Sequence, residues 1–511
     1  MSRLASTLAA AGALAAARVL ISAGLLAAAG ALAAAGALAF SAVLAETPAR
    51  TALSADVTPA QQPGTPWSAP VALSACPAAP AARVVFPSDS PNHATGAGAI
   101  VWSDSSHCPG GEGARVAALG AGDEPGAPAV PHTAAGQPIA PRGALLASGA
   151  PHGQIVIAGS SPGAPADGLL IQGAASGPFA ALQPVEGSAA PMALATGYLG
   201  DVALASPPAG SRAGHAGGAT GHPGSPAGVR TNGLNVHVER FYAHDFVRNL
   251  AGRAAGEGQV QALTLAMDYR SEVLAVWVQG TAIYARVVPN KGAARPIQRL
   301  ASVGSHAEIA AVLSDDERAI VAWSEQRGGE TAVYVDRSAT GVRFGAPQLL
   351  ERFRDPDGLS PPTASPSLVR LSSESVMLAW AGSAAGHWVV RAAPVDLNGV
   401  GDVSTIAAPG VDALLAHLAA GPAGDALVLW TEPLPTAAGP PDMARQAIFA
   451  ARGFDAYQAR TVFGAPEQVA PPAPVSDPTV AIDPNSDRAV AAWRGEAAAI
   501  EYSIRAVAAA P

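Results

Sequence analysis

The sequence predicts an all-β fold, a single β-propeller of eight four-stranded blades. A unit of short apolar strands and polar turns recurs along most of the chain, and the composition disfavours long helices. Of the 511 residues, 55 are Gly, 46 are Pro and only 14% are charged. Gly and Pro interrupt helices, and long helices exposed to solvent need more charged residues than this chain has.

The clearest copy of the unit runs from Arg318 to Leu350. Its segments AIVAW and AVYVD are short runs of branched, aromatic and small residues, which is typical of strands. The near-continuous apolarity of AIVAW predicts a strand that is buried on both faces. The segment FGAPQLL contains a Pro and is therefore predicted to be the outermost strand, where a missing backbone N–H is tolerated.

Eight copies of the second strand of this unit follow one another along the chain. They lie around Trp102, Val156, Ala203, Trp277, Trp323, Trp380, Trp430 and Trp493. A repeat of about 50 residues with four short strands is typical of a propeller blade, whereas β-helix repeats are shorter and immunoglobulin-type domains are about 100 residues long. The first three copies are divergent, which leaves seven blades as the alternative.

The fourth strand predicts how the ring closes. The segments that begin at Phe179, Phe344 and Phe463 share an aromatic residue followed by small residues, and WSAPVAL at Trp67 resembles them but precedes the first full unit. The last unit ends at Pro511 after its third strand. We expect Trp67 to Leu73 to complete that blade, because pairing the two ends of the chain removes an exposed sheet edge.

The N-terminal residues predict export. Arg3 and Arg18 precede an apolar run that ends at Ala45, and SAVLA places small residues at the positions that signal peptidase requires. Residues 1–45 are therefore interpreted as a signal peptide or an uncleaved membrane anchor, and both place the rest of the chain outside the cytoplasm. Residues 46–66 are predicted to be a flexible linker and residues 67–511 the propeller.

The unit resembles the secreted sialidase-like or BNR-like propeller repeats of bacterial proteins. The resemblance covers roughly residues 67–511 and rests on the polar turn, the AVVAW-like second strand, the Arg at the end of the third strand and FGAP. It implies the propeller fold, and the group includes glycosidases and binding proteins. No Asp-box of the S-x-D-x-G-x-T-W type and no Tyr, Glu and Arg triad can be matched, so sialidase activity is not implied.

Three sets of residues could carry chemistry, and each has a simpler interpretation. Asp483, Asn485 and Asp487 have the spacing of a calcium loop, but they occupy a turn that other copies fill with other polar residues, which favours a hairpin turn. Tryptophans at the ends of second strands could stack on sugars, but packing between blades is favoured. Third strands carry a recurrent Arg that could bind a carboxylate, but its recurrence favours a structural role. These arginines are Arg286, Arg337, Arg391, Arg452 and Arg505.

Metal ions, cofactors and nucleic acids are not expected as partners. His215 and His222 lie in a Gly-rich insertion, and even with His237 or His244 they match no familiar ligand spacing, so a solvated loop is favoured. No P-loop, GxSxG, HExxH or CxxC motif is present. The net charge of −9, with no basic run, argues against nucleic acid.

Cys76 and Cys108 are the only cysteines. In an exported protein they are predicted to form a disulfide, which would stabilise the fold by about 3–4 kcal/mol in the chain-entropy model. In a four-stranded meander the two connections that carry them emerge on the same face. The bridge would then join the closing blade to the first one.

The function predicted is that of an exported, non-catalytic binding or scaffold module; the alternative is a glycosidase or lyase with its site in the central funnel. Three long connections fall on the face with the cysteines, namely residues 207–232, 351–365 and 432–445. Long loops on a rigid scaffold are disproportionately functional. The contact residues predicted there are Arg352, Phe353, Arg354, Asp355 and Asp357. A carbohydrate or a cell-surface protein is the expected partner, and the chain is expected to be monomeric.

Overall fold

The computed structural model describes residues 67–505 with several gaps. The gaps are 75, 79–81, 88–97, 109–110, 121–123, 163–167, 183–192, 198–199, 207–234, 241–242, 250–259, 291–292, 305, 355–363, 373–374, 409, 437–440 and 455–461. The chain divides into two units, Met1–Asp56 and Val57–Pro511, and the first lies outside the described residues. The only helices in the described part are two single 3-10 turns, Asp315–Glu317 and Glu496–Ala498. None of its helices is long and apolar enough to cross a bilayer.

The described strands form eight antiparallel sheets, numbered here in chain order. A short strand β1 (Val71–Ala72) precedes them. Sheet 1 contains β2 (Arg83–Val85), β3 (Gly98–Asp104) and β4 (Gly113–Leu119). Sheet 2 contains β5 (Arg142–Ala150), β6 (Gln154–Ser160), β7 (Gly168–Ala174) and β8 (Phe179–Ala181). Sheet 3 contains β9 (Ala193–Thr196), β10 (Val202–Ser206), β11 (Asn235–Arg240) and β12 (Ala243–Asn249). Sheet 4 contains β13 (Val260–Met267), β14 (Val273–Gln279), β15 (Ala282–Val288) and β16 (Gln298–Ser302).

The second half of the chain repeats the same order. Sheet 5 contains β17 (His306–Ser314), β18 (Arg318–Arg327), β19 (Glu330–Ser338) and β20 (Gln348–Arg354). Sheet 6 contains β21 (Ser367–Arg370), β22 (Val376–Ala384), β23 (His387–Val395) and β24 (Ser404–Thr405). Sheet 7 contains β25 (Leu414–Ala420), β26 (Asp425–Leu434), β27 (Asp442–Phe454), β28 (Val462–Phe463) and β29 (Glu467–Ala473). Sheet 8 contains β30 (Ser476–Ile482), β31 (Ala489–Arg494), β32 (Ile500–Arg505) and β1.

The second strands are buried on both faces because a sheet packs against each of them. In β31, Ala491 and Trp493 face a cluster shared with sheet 7, whereas Val490 and Ala492 face a cluster shared with sheet 1. Successive strand residues point to opposite faces, so a strand covered on both sides must be apolar throughout. The same is true of β14, in which every residue is buried.

Eight hydrophobic clusters join consecutive sheets, and the eighth joins the last sheet to the first. The first strands follow the same order, since each contacts the first strand of the next sheet. The contacts run from β2 through β5, β9, β13, β17, β21 and β25 to β30, and β30 contacts β2.

The two ends of the described chain meet in sheet 8. Val71 and Ala72 pair with Tyr502 and Glu501, and Trp67 forms a bridge with Arg505. Trp67 is buried, and its indole N–H donates to Glu467 Oε2 at 3.0 Å. Arg505 donates to both oxygens of the same carboxylate at 2.8 and 2.9 Å. One acid of sheet 7 thus holds both the N-terminal segment and the last strand.

Cys76 and Cys108 form a disulfide across this junction. Cys76 follows β1 of sheet 8, and Cys108 follows β3 of sheet 1. The covalent bond therefore joins the segment after the N-terminal strand to the neighbouring sheet, as the sequence predicts.

Two sequence-based boundaries were wrong. The predicted fourth strand FGAPQLL begins at Phe344, but β20 begins at Gln348 and extends to Arg354, so part of the expected long connection is strand. Phe344 is instead buried in the cluster between sheets 4 and 5. Residues 432–434 and 442–445 of another expected connection are also strand, because β26 and β27 extend towards each other and pair Leu434 with Asp442. Continued backbone pairing satisfies more polar groups than a loop would.

Two N-terminal deletions should show which of these residues contribute to the stability of the fold. Removing residues 46–66 should leave the melting temperature nearly unchanged. Removing residues 46–75 should lower it or cause oligomerisation, because β32 becomes an exposed edge and Glu467 loses the Trp67 indole. Thermal denaturation with size-exclusion chromatography measures both effects, and equal melting temperatures would show that β1 is not needed.

Candidate functional site

The recurrent arginines of the third strands do not converge on one point. Arg337 donates to Gln348 at 3.1 Å, and Arg391 pairs with Glu351 at 3.0 Å. Arg452 pairs with Asp425 and Asp487, and Arg286 donates to the carbonyl of Arg295. Arg505 binds Glu467. Each guanidinium has a partner in its own or an adjacent sheet, which supports the structural interpretation.

The six second-strand tryptophans are buried between sheets, and three of their indole N–H groups reach an acceptor two residues further along the strand. Trp102 donates to Asp104 at 2.9 Å, Trp277 to Gln279 at 3.3 Å and Trp430 to Glu432 at 2.9 Å. Residues i and i+2 of a strand share a face, so a W-x-[DEQ] pattern can supply its own acceptor. A buried donor without one would be costly. Trp323 is the exception, because Glu325 lies two residues further on but the indole N–H makes no hydrogen bond within the described residues.

Two copies have glycine at that position, and there the acceptor comes from elsewhere. After Trp380, position i+2 is Gly382, and the indole donates instead to Glu351 of sheet 5 at 2.8 Å. A Cβ on Gly382 would lie 2.4 Å from Glu351 Oε2. After Trp493, Gly495 leaves room for Glu501, which accepts at 3.0 Å. The glycines are thus required by the close approach of a carboxylate.

Moving the acceptor should test this arrangement. Glu351→Ala should reduce the free energy of unfolding by about 3 kcal/mol, because Trp380, Arg391 and the Ser383 N–H lose their acceptor. Adding Gly382→Glu should restore part of the loss by recreating the pattern of Trp430 and Glu432. Glu330→Ala, which removes an exposed pair with Arg354, should cost less than about 1 kcal/mol. Chemical denaturation compares the variants, and a double variant no more stable than Glu351→Ala would contradict the argument.

Asp483, Asn485 and Asp487 form a hairpin turn between β30 and β31. Asp483 accepts the backbone N–H of Asn485 at 2.9 Å and the hydroxyl of Ser486 at 2.6 Å. Asp487 pairs with Arg452. Local hydrogen bonds of this kind are the usual role of Asp in turns. Within the described residues, no group of three His, Cys, Asp or Glu side chains could hold a metal ion.

The predicted contact residues lie mostly on a strand. Arg352, Phe353 and Arg354 belong to β20, with both arginines exposed. Phe353 faces the other way and packs edge-on against Trp388 of sheet 6, with ring centroids 5.3 Å apart. Phe353 is therefore not an exposed anchor, because neighbouring strand residues point to opposite faces. Asp355 and Asp357 lie outside the described residues, as do His215 and His222.

Among the described residues, the first strands surround two cavities, and none of the lining residues is among the site residues predicted from the sequence. One, called here the Phe86 cavity, has a volume of about 350 Å³ and is lined by residues from sheets 1, 2, 7 and 8. The other, called the Glu308 cavity, has a volume of about 340 Å³ and is lined by residues from sheets 4 to 7. Its lining consists of Ala262, Leu263, Glu308, Ile309, Ser365, Pro366, Ser367 and His417. Small-molecule sites are commonly about 300–1,000 Å³ with a few polar groups on an apolar wall.

Among the described residues that line the Glu308 cavity, Glu308 is the only carboxylate. Its Oε2 atom is buried and makes no hydrogen bond within the described part of the chain. A buried acceptor without a donor is unfavourable, and a charged one more so. Glu308 as a whole is half-buried and lines the cavity, so the residue is within reach of a molecule that enters, although its Oε2 atom is covered by the protein.

His417 is the second polar group of this wall. The register of β25 shifts just before it, which marks a bulge of the kind that re-aims side chains near binding sites. Burial lowers the pKa of His417 to about 4; the positive charge of Arg83 also lowers it, while Asp477 has the opposite effect. The imidazole is therefore neutral at pH 7, able to donate from one nitrogen and accept at the other.

Two serines complete the polar lining. Ser367 Oγ accepts the backbone N–H of Leu418 at 3.2 Å, which ties β21 to β25 beside the cavity. Ser365 has φ of +39°, an uncommon conformation for a residue other than glycine. Strain of this kind is often retained where side-chain placement matters.

The sequence signal for this site is weak. Glu308 lies in HAEIAAVL and His417 in LLAHLAA, where a single polar residue interrupts an apolar first strand. Neither recurs in the other copies, so a search for repeated residues overlooks both.

A further carboxylate pair lies at the turn between β13 and β14. Asp268 is buried and accepts the backbone N–H groups of Arg270 and Glu272 at 2.9 and 2.8 Å. The Asp268 and Glu272 side chains lie close enough to share a hydrogen bond when one of them is protonated. Burial, together with the negative charges of Asp268 and Glu317, raises the pKa of Glu272 to about 7. No cavity described above includes the pair, and we interpret it as part of the turn.

The raised pKa predicts a stability change with pH. Between about pH 4.5 and pH 7 the folded state holds a proton on Glu272 that the unfolded state has lost, so the free energy of unfolding falls as the pH rises through this range. The stabilisation by protonated Glu272 is complete below about pH 4.5 and is lost as the pH rises through about 7. Glu272→Gln should remove this part of the pH dependence, and Glu330→Gln should not. Thermal denaturation at intervals from pH 4 to pH 8 would measure it; parallel curves for wild type and Glu272→Gln would contradict the assignment.

Comparisons with known proteins find no family. No protein-family model matches the chain, and no curated protein is similar to it. Similar solved structures include a fucose-specific lectin from Aleuria aurantia, at 10% identity over 61% of this chain and 89% of that chain, with a TM-score of 0.31. An α-L-arabinofuranosidase from Fusarium graminearum has 9% identity over 48% and 92%, with a TM-score of 0.27. A neuraminidase-like protein of a flat-faced bat isolate has 8% identity over 62% and 88%, with a TM-score of 0.32. Similarity this low says nothing about what the chain binds.

Proposed function

We propose that this chain is an exported binding protein, built as one ring of eight propeller blades, that holds a small hydroxylated ligand in the Glu308 cavity. The observation that carries the proposal is the half-buried Glu308 carboxylate, which lines a cavity of about 340 Å³ together with the neutral imidazole of His417. Carbohydrates supply the hydroxyl donors that such a wall requires. The carbohydrate is held without being cleaved.

The ring is supported by the order of contacts between sheets. Eight clusters join eight sheets in sequence, the last packs against the first, and the first strands contact one another in the same order. A ring brings all first strands to its centre, where both cavities lie. In this proposal residues 67–511 form the propeller, residues 46–66 a linker, and residues 1–45 a signal peptide or anchor. The disulfide is compatible with an extracytoplasmic location.

The alternative function is a glycosidase or lyase with its site in the same central region. Glycoside hydrolysis usually requires two carboxyl groups about 5–10 Å apart across the scissile bond. The lining of the Glu308 cavity offers one carboxylate and one imidazole. One carboxylate suits binding better than this two-acid mechanism.

A glycan and polysaccharide binding screen on the protein from residue 46 onwards tests the function. Binding through the central cavity should be lost in Glu308→Ala/His417→Ala and retained in Arg352→Ala/Arg354→Ala, which changes the exposed face of β20. Both variants should keep the wild-type melting temperature within a few degrees. The reverse result, with binding lost only in the arginine variant, would place the site where the sequence predicts it and reject the central cavity. Release of reducing sugar from a bound glycan would favour the enzyme.

A further inference from the structure

The Glu308 cavity carries a negative charge that its own wall does not balance. The part of its lining that the structure describes contains Glu308 and no Lys or Arg, and His417 is neutral at pH 7. No ion pair of Glu308 occurs in the described part of the chain. A carboxylate that is partly removed from water and unpaired favours a cation over a neutral partner, because the attraction between charges strengthens where water is excluded.

Two charged groups act on His417 from outside the lining of the cavity. Arg83, at the start of β2, acts on His417 through its charge, and Asp477 of β30 acts on both residues with the opposite sign. Asp477 also pairs with Arg494 at 3.3 Å. None of these three residues belongs to the described lining, so within that lining no basic side chain pairs with Glu308.

The remaining polar groups of the wall suit a hydroxylated molecule. Ser367 accepts a backbone N–H and retains its own hydroxyl hydrogen for donation, and neutral His417 offers one donor and one acceptor. The aliphatic residues Leu263, Ile309 and Pro366 form the apolar part of the lining. A sugar ring presents apolar C–H faces and polar edges, which matches both parts of this wall.

We propose that the Glu308 cavity selects sugars with a free amino group, with Glu308 binding the ammonium and His417 and Ser367 binding hydroxyls. This inference rests on the proposed function and specifies its ligand class. The expected order of affinity is amino sugar, then neutral sugar, then uronic acid, because the last carries the same charge as Glu308. A charge-assisted hydrogen bond in a partly dry site is about twice as strong as a neutral one.

Isothermal titration calorimetry with four monosaccharides tests the proposal on the protein from residue 46 onwards. The probes are glucosamine, N-acetylglucosamine, glucose and glucuronic acid, which have one ring geometry and differ in charge. Glucosamine should bind at least about tenfold more tightly than glucose, and glucuronic acid should bind most weakly. N-acetylglucosamine, which keeps the nitrogen but loses the charge, should bind like glucose.

Glu308→Gln keeps the shape of the side chain and removes its charge. The variant should lose the preference for glucosamine, with glucose affinity changing by less than about threefold. Its melting temperature without ligand should equal or exceed that of wild type, since an unpaired buried charge has been removed. Glu496→Gln, an exposed acid outside the cavity, is the matched control and should leave all four affinities unchanged.

The outcomes separate this inference from the proposed function. Equal affinity of wild type for glucosamine and glucose would overturn amine selection and leave sugar binding intact. If folded Glu308→Gln loses affinity equally for every sugar, the proposal is also overturned, because Glu308 would then accept hydrogen bonds from all of them and not select the ammonium group. Failure of all four sugars, and of the wider glycan screen, would overturn the inference and the proposed function together.

Discussion

Each second strand in this protein needs a sheet on both of its faces, and the rest of the fold follows from that constraint. Strands such as β14 and β31 are apolar on both faces, so a sheet at either end of a row would expose half of its core. The last sheet packs against the first, and no second strand at the ends of the row is left uncovered. Burial of apolar surface, worth about 25 cal/mol per Å², thus favours both consecutive packing and contact between the two ends of the row.

Polar contacts then fix how the sheets meet. Glu467 holds Trp67 and Arg505, and Glu351 holds Trp380 and Arg391, so an acid at the outer strand of one sheet binds an indole and a guanidinium of the next. Asp104 makes the same pair of contacts with Trp102 and Arg115 within sheet 1. Such contacts add little net energy, but an unpaired partner would be costly, and they therefore specify register and orientation.

The same packing leaves the first strands free to line cavities. Residues on the outer strands are covered by neighbouring sheets or exposed to solvent, whereas the first strands face the two cavities. A polar residue on a first strand that lines a cavity disturbs no interface between sheets. A single substitution at such a position can therefore change the lining of the cavity without changing how the sheets pack. Glu308 and His417 occupy such positions.

The sequence by itself determined the strand-rich fold, the repeat, the second strands buried on both faces, the pairing of Trp67 to Leu73 with the last sheet and the partner of each cysteine. These features depend on local residue patterns and on the need to cover apolar strand faces, and both can be recognised from the order of residues in the sequence. Only the tertiary structure decided that β20 begins at Gln348, that Phe353 packs against Trp388, and that Gly382 makes room for Glu351. It also brought together Glu308 and His417, which are over 100 residues apart and lie in different sheets. Their proximity arises from the packing order of the sheets, and no local pattern in either strand records it.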